Sequence, residues 1–305
     1  MNFVVRLESP FDLEYTLESG QVFRWEHRAE WWYGVLDGGV LKVRQDGDTL
    51  TCASSADHID SRYVANYFRL EEDPRTVLAS IMVDSTMSRA VQQFYGLHLI
   101  RQDPWECLAS FVLATNSNIP RIKRMVSNVC ESFGERVGFE GSTYYAFPTS
   151  TSLAEAPLGR LRGCGLGYRA PFLKRVAQTV EAGKLHFGEL SLRDYEEARG
   201  ILLGSLPGGK LLLGVGPKVA DCVLLFSCDK DEAFPIDVWV ARSLLRFYPA
   251  LVPPSLRRKL RSSSKKNLTK GEYELLSSEA RKTFGRYAGY AQQYLFMLAR
   301  SEGTA

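Results

Sequence analysis

Over the first 70 or so residues, apolar positions come in short runs punctuated by Asp-Gly pairs: WWYGVL, DGG, VLKVR, QDGD, TLTC. That spacing predicts a meander of antiparallel strands with tight turns. The preceding FDLEYTLESGQVFRWE reads as further strand, interrupted at Ser19-Gly20. From DPRTVLASIMV onward the spacing turns helical and stays so to the end. DPWECLASFVLA is a clear helix start, with Asp103 as N-cap, Pro104 in the first position and Glu106 three residues after the cap. Further helices are predicted for IPRIKRMVSNVCESFG, RAPFLKRVAQTVEAG, LRDYEEARGILLG, VADCVLLFSC, VWVARSLLRFY, YELLSSEARKTFG and YAQQYLFMLAR. No repeat of solenoid type interrupts them. The pattern predicts an α+β chain: an antiparallel β domain with linking helices over residues 1–95, then a mostly helical body over 96–305.

At 305 residues the chain is long enough to bury a full core. Its 45% hydrophobic and 24% charged residues exclude disordered and fibrous classes. No apolar run approaches membrane-spanning length, and MNFVVRLESPFDLEY lacks a signal-peptide core, so a soluble intracellular protein is expected. A formal charge of +3 permits a polyanionic partner without requiring one. The most basic stretch, RRKLRSSSKKNLTKG (257–271), reads as a solvated loop. Six scattered cysteines (Cys52, Cys107, Cys130, Cys164, Cys222 and Cys228) form no CxxC pair and have no histidine at ligand spacing. They read as small buried hydrophobes, with no metal or cofactor expected.

The stretch GVGPKVADC carries the chemistry. Gly214 and Gly216 let the backbone approach a ligand closely, and Pro217 opens a helix whose free N–H groups suit a phosphate oxygen. GxxxxGK[ST] is absent, which excludes a nucleotide P-loop. Helices on both sides make this the turn of a helix-hairpin-helix, which grips a nucleic-acid backbone without reading bases. Lys218 then has two readings: an exposed cation beside phosphate, or a nucleophile whose neutral amine is favoured by low dielectric and the helix-start field. Nineteen residues on, Asp237 precedes another helix in FPIDVWVARSLLRF. It reads either as an N-cap or as the carboxylate that faces a developing positive sugar centre.

Together these residues resemble the helix-hairpin-helix glycosylases with a Gly/Pro-rich loop and catalytic aspartate, and most closely the eukaryotic and archaeal 8-oxoguanine DNA glycosylase/AP lyases. The resemblance runs nearly end to end, through LESGQVFRW, RQDPWECLASFVLATNSNIPRI, GCGLGYRAPFL, GVGPKVADCVLLFS, PIDVWV and YAGYAQQYLF. That branch also carries a β domain before its helical body. The resemblance implies base-excision repair of duplex DNA containing oxidised guanine, by a monomer that works wherever the DNA is: cytoplasm, nucleoid or nucleus. Lys218 would attack C1′, expel the base and hold the sugar as a Schiff base, with Asp237 supporting that step; β-elimination would then nick the strand.

The flipped purine would lie between Phe296 and Cys222. Gln292 would bond its Watson–Crick edge, and the Gly20 carbonyl would accept the N7 proton that only the oxidised base carries. Across the duplex, Tyr168 would wedge into the stack, Arg121 and Arg169 would bond the opposite cytosine, and Asn116 would fill the vacated space. The chain departs from the family at Leu213, where a proline is usual, after an extra SLPGGK. It departs again at Trp239, where a histidine is usual, and at Ser117, where asparagine is usual. Iron–sulfur relatives need four clustered C-terminal cysteines, whereas the last here is Cys228. The remaining alternatives are a monofunctional alkylpurine glycosylase, which would lack the hairpin lysine, and a non-catalytic DNA-binding module.

Overall fold

The Asp-Gly pairs do turn the chain. Strands β1 (Asn2–Arg6), β2 (Trp25–Arg28), β3 (Trp31–Leu36), β4 (Gly39–Asp46) and β5 (Thr49–Ser54) form one antiparallel sheet in the order β1-β5-β4-β3-β2. Leu36 pairs with Gly39, which leaves Asp37-Gly38 as a two-residue loop. Both loop residues have positive φ, 45° and 75°, the twist that lets a tight hairpin follow the strands. On the inner face Trp25 lies flat over Gly34, where a Cβ would come within 2.6 Å of its ring. The computed structural model describes residues 1–204, 212–262 and 268–303. SLPGGK (205–210) lies outside the described residues.

Two helices close the inner face, and both differ from the sequence expectation. Residues read as strand in FDLEYTLE form α1 (Leu13–Glu18), and α2 (Ser61–Tyr67) falls within the segment assigned to β. Their N-caps decide this: Asp12 accepts from the Tyr15 N–H at 2.7 Å and Asp60 from Tyr63 at 2.8 Å. Leu13, Leu17, Val64, Tyr67 and Phe68 then pack against Leu41, Val43, Leu50 and Cys52 of the sheet.

The helical body follows as α3 (Pro74–Ile81), α4 (Ser85–Gln93), α5 (Pro104–Ala114) and α6 (Ile119–Phe133). It is broken, against expectation, by a hairpin of β6 (Arg136–Phe139) and β7 (Ser142–Tyr145). That hairpin clips onto the outer face of the sheet. Lys42 pairs with Glu140 at 2.9 Å, Tyr33 stacks on Tyr144 at 6.4 Å, and the Arg28 guanidinium sits 5.5 Å from both rings.

Next come α7 (Ser150–Glu155), α8 (Leu158–Leu161), α9 (Ala170–Glu181), α10 (Phe187–Leu192) and α11 (Tyr195–Leu203). After the glycine turn stand α12 (Pro217–Ser227), α13 (Val238–Phe247), α14 (Pro254–Ser262), α15 (Lys270–Phe284) and α16 (Ala288–Ser301). The basic stretch expected as loop is therefore helical at both ends. Residues 257–262 complete α14 and Lys270 opens α15, whose cap is Thr269 with Glu272 reaching back; 263–267 lie outside the described residues. The core is built on α5, α12 and α16, whose sides are nearly all apolar and covered. All six cysteines are free and buried.

One ion cluster joins distant parts of the chain. Arg69 is buried, donates to Asp231 at 2.7 Å and also pairs with Asp229. Arg101 reaches Asp229 at 2.8 Å and Glu71 at 2.6 Å, while Tyr290 on α16 donates to Glu72 at 2.5 Å. The segment before α3, the loop after α12 and the start of α16 are thereby held together. Among the described residues no helix is long and apolar enough to cross a membrane.

Candidate active site

The turn ahead of α12 needs its first glycine. Gly214 has φ +90°, and a Cβ there would meet the Phe172 side chain at 2.8 Å. Gly216 occupies the N-cap with no side-chain oxygen to satisfy the first turn, and Pro217 follows at the first helical position. Uncapped N–H groups at a helix start form a ready anion site. Lys218 comes next, half-buried, with Nζ 4.6 Å from the centre of the Phe111 ring. Phe111 stacks in turn on Phe226 at 5.6 Å.

Cys222 lies one turn beyond Lys218 on α12. Burial pushes its thiol up to about 11, and the Lys218 ammonium pulls in the opposite direction. Asp237 is the N-cap of α13, and its Oδ1 accepts the Val240 N–H at 2.8 Å. Burial raises its carboxyl above the usual carboxylate range, against the Val240 N–H and then the charge of Lys218. Lys218, Cys222 and Asp237 are thus electrostatic neighbours. The capping reading of Asp237 is correct as far as it goes, and capping leaves the carboxylate within the field of the lysine.

A second group gathers around Gly20. This residue has φ +78°, and a Cβ on it would sit 3.1 Å from Cε1 of Phe296 and 3.4 Å from Ile119. The loop is clamped by Gln21, which is fully buried. Its amide donates to the Thr16 carbonyl (3.2 Å), Ser19 Oγ (2.9 Å) and the His98 carbonyl (2.9 Å), and accepts the Ile100 N–H at 2.8 Å. Gln293 of α16 donates to Ser19 Oγ at 3.4 Å. Gln292, one residue earlier, is buried with its Oε1 unpaired among the described residues. A buried amide oxygen without a donor carries a desolvation cost of about 1–3 kcal/mol that a ligand N–H would relieve. Phe296 and Cys222 are both buried members of the helical core, as default packing would have them.

If the chain acts as the resemblance implies, Gly20→Ala keeps the fold and cuts base excision at least about tenfold, since the new methyl strains a left-handed backbone and presses on Phe296. Single-turnover excision kinetics on lesion-containing duplex measure this, and a wild-type rate refutes it.

The third group sits at the 115–118 and 167–169 loops. Asn116 has φ +50° and donates from Nδ2 to the Tyr168 hydroxyl at 3.3 Å. Tyr168 is half exposed, and its hydroxyl donates to the Thr115 carbonyl at 3.1 Å. Arg169, which the resemblance sets against an opposite base, is 1% exposed and bonded to the neighbouring 115–118 loop. It donates to the Thr115 carbonyl from Nε at 2.9 Å and to Asn116 O from a terminal nitrogen at 3.0 Å, with its guanidinium 4.5 Å from the Tyr168 ring. Arg121 is exposed, and its backbone N–H bonds the Asn118 cap at 3.0 Å. Burial lowers the Arg169 guanidinium from its ordinary value, opposed by Tyr168 and reinforced by the charge of Arg121. Of the departures, Leu213 is exposed, Trp239 lies 5.6 Å from the Arg242 guanidinium, and Ser117 Oγ is buried and unpaired among the described residues.

Sequence reasoning missed three participants. Phe111 underlies Lys218, and Gln21 holds the Gly20 loop although it stood in the quoted LESGQVFRW. Phe172 meets Gly214 on one side and Tyr168 on the other, at 6.1 Å, so the exposed tyrosine and the glycine turn lean on the same ring. Only the position of Phe172 after GYRAP hinted at it.

Comparison with known proteins places this geometry. Residues 4–108 match the family described as 8-oxoguanine DNA glycosylase, N-terminal domain. Residues 109–266, just over half of the chain, match the HhH-GPD superfamily base excision DNA repair protein family. The Saccharomyces cerevisiae N-glycosylase/DNA lyase is 30% identical over 95% of this chain and 83% of its own. The Clostridium acetobutylicum 8-oxoguanine glycosylase/lyase, solved in apo form, is 29% identical and superposes with a TM-score of 0.84 over 97% of this chain and 95% of that one. Solved with duplex DNA containing cytosine opposite 8-oxoG, it is 27% identical with a TM-score of 0.83, covering 99% and 98% of the two chains. With its glycine turn, lysine and aspartate in place, this chain belongs to the HhH-GPD superfamily of base-excision DNA repair proteins, in the branch that carries the 8-oxoguanine DNA glycosylase N-terminal domain.

Proposed function

We propose that the chain excises 8-oxoguanine paired with cytosine from duplex DNA and then cleaves the strand at the resulting abasic site. The observation that carries this reading is Lys218, half-buried at an uncapped helix start suited to phosphate, in the electrostatic reach of the half-buried carboxylate of Asp237. The Lys218 amine attacks C1′ as the bond to the base breaks, and the base leaves with that electron pair and takes up a proton. Loss of the amine proton and opening of the sugar ring give the Schiff base. Removal of a C2′ proton then expels the 3′ phosphate and nicks the strand. Asp237 stabilises the positive sugar centre while that charge develops.

The nucleotide must leave the stack first, which costs a few kcal/mol and favours damaged over normal pairs. Phe296 and Cys222 flank the flipped base, Gln292 offers its unpaired amide, and Gly20 its carbonyl. Gly214 and Gly216 hold the phosphate backbone, while Tyr168, Asn116, Arg121 and Arg169 meet the opposite strand. The protein acts as a monomer wherever the DNA lies, with residues 1–95 and 96–305 as its two units. Borohydride reduction of a mixture with 8-oxoguanine:cytosine duplex tests the reading. A covalent protein–DNA adduct and a nicked strand are expected; binding with neither adduct nor nick refutes the lyase.

A further inference from the structure

Asp221 is fully buried on α12, three residues after Lys218 and adjacent to Cys222. It takes no part in the chemistry proposed above. Its Oδ1 accepts from the Tyr195 hydroxyl at 2.8 Å and Arg199 Nε at 2.7 Å, and its Oδ2 from the Tyr273 hydroxyl at 2.6 Å. Arg199 pairs on its other side with Glu274 at 2.9 Å. A buried carboxylate this well satisfied is stable where it stands, so what its partners touch next matters.

Tyr195 and Tyr273 then differ. The Tyr273 hydroxyl, having donated its proton to Asp221, accepts the backbone N–H of Ile236 at 3.2 Å. Ile236 directly precedes Asp237. One turn along α15, Ser277 donates to the Phe234 carbonyl of the same loop at 3.3 Å. The Tyr273 phenol is held protonated by burial and by the charge of Asp221, as a simultaneous donor and acceptor requires. Among the described residues no other hydrogen bond of Asp221 leads to the loop.

We propose that Tyr273 is a positioning residue: its hydroxyl couples the helix carrying Lys218 to the loop carrying Asp237 and so sets the separation of the two reacting groups. The proposal rests on the glycosylase/lyase reading. Misplacement of a reacting group by about 1 Å can cost on the order of a hundredfold in rate.

The test compares Tyr273→Phe with Tyr195→Phe in the full chain, on 8-oxoguanine:cytosine duplex under single turnover. Each removes one hydroxyl from Asp221, and only the first frees Ile236. Tyr273→Phe is expected to slow base release roughly 10- to 100-fold with duplex affinity within about twofold of wild type, and Tyr195→Phe to stay within about threefold. In an Asp237→Asn background the Tyr273→Phe effect is expected to vanish, because the group it positions is gone. Equal slowing by the two variants, or full additivity with Asp237→Asn, overturns the proposal. If Tyr273→Phe does not fold, Ser277→Ala probes the same clamp: slower release with intact binding supports it, and a wild-type rate overturns it. Failure of the wild type itself to release base refutes the underlying reading, a separable outcome.

Discussion

A Lys218→Gln protein should bind 8-oxoguanine:cytosine duplex and leave no covalent adduct with it after borohydride reduction. Glutamine keeps much of the length and the helical position but has no nucleophilic lone pair on nitrogen. The structural loss is modest: the half-buried Lys218 gives up its contact with Phe111, worth about 0.5–2 kcal/mol, and its attraction to Cys222 and Asp237. Affinity is therefore retained while both the adduct and the nick disappear. The measurement is gel separation of trapped protein–DNA complex from free strand, alongside binding isotherms. An adduct that survives in Lys218→Gln means another amine performs the chemistry.

Asp237→Asn should leave binding intact and lower base release by roughly 10²–10⁴-fold, or about 3–5 kcal/mol of barrier. Asparagine is as good an N-cap as aspartate, so α13 keeps its start and the bond to the Val240 N–H. What disappears is negative charge beside the sugar. The pH dependence follows with a definite sign. Burial raises the Asp237 carboxyl above the ordinary range, and the reaction needs its ionised form, so activity falls as pH drops through a value higher than a free carboxylate would give. That acid limb should be absent in Asp237→Asn. Single-turnover rates of both proteins across pH decide it; unchanged turnover reduces Asp237 to a cap.

The meander and most helices were legible because their local chemistry admits one answer. Asp37-Gly38 accepts positive φ at both positions, and Asp103-Pro104 can only start a helix well. FDLEYTLE was not, because Leu13, Tyr15 and Leu17 alternate as a strand would while Leu13, Thr16 and Leu17 also share one helical face. The Asp12 cap tips that balance, and no periodicity reports it. The β6–β7 hairpin announced itself only through Glu140-Gly141, with φ 48° and 75°, in strands whose side chains are largely exposed. Its contacts with Arg28, Tyr33 and Lys42 lie a hundred residues away, beyond any window.

At the site, Lys218 and Asp237 stood out as candidates because the glycine turn and the cap mark their neighbourhoods, while the family resemblance supplied the roles given to them. The bonds that hold Arg169 were not, since the carbonyls of Thr115 and Asn116 are supplied by another loop. Gln21 and Tyr273 were invisible for the same reason. Their meaning lies in partners remote in sequence.

The Arg69 cluster gives the molecule a stiff side and a soft one. Behind the loop that carries Asp237, the buried Arg69 is held by Asp229, Asp231 and Glu72, and removing its partners would leave an uncompensated buried charge. Around Arg169 and Tyr168 the restraints are hydrogen bonds to carbonyls, whose exchange for other acceptors costs little net. The loops at 115–118 and 167–169 are therefore the part of the site expected to rearrange first when a partner is bound, and the wall behind Asp237 the part expected to hold its shape.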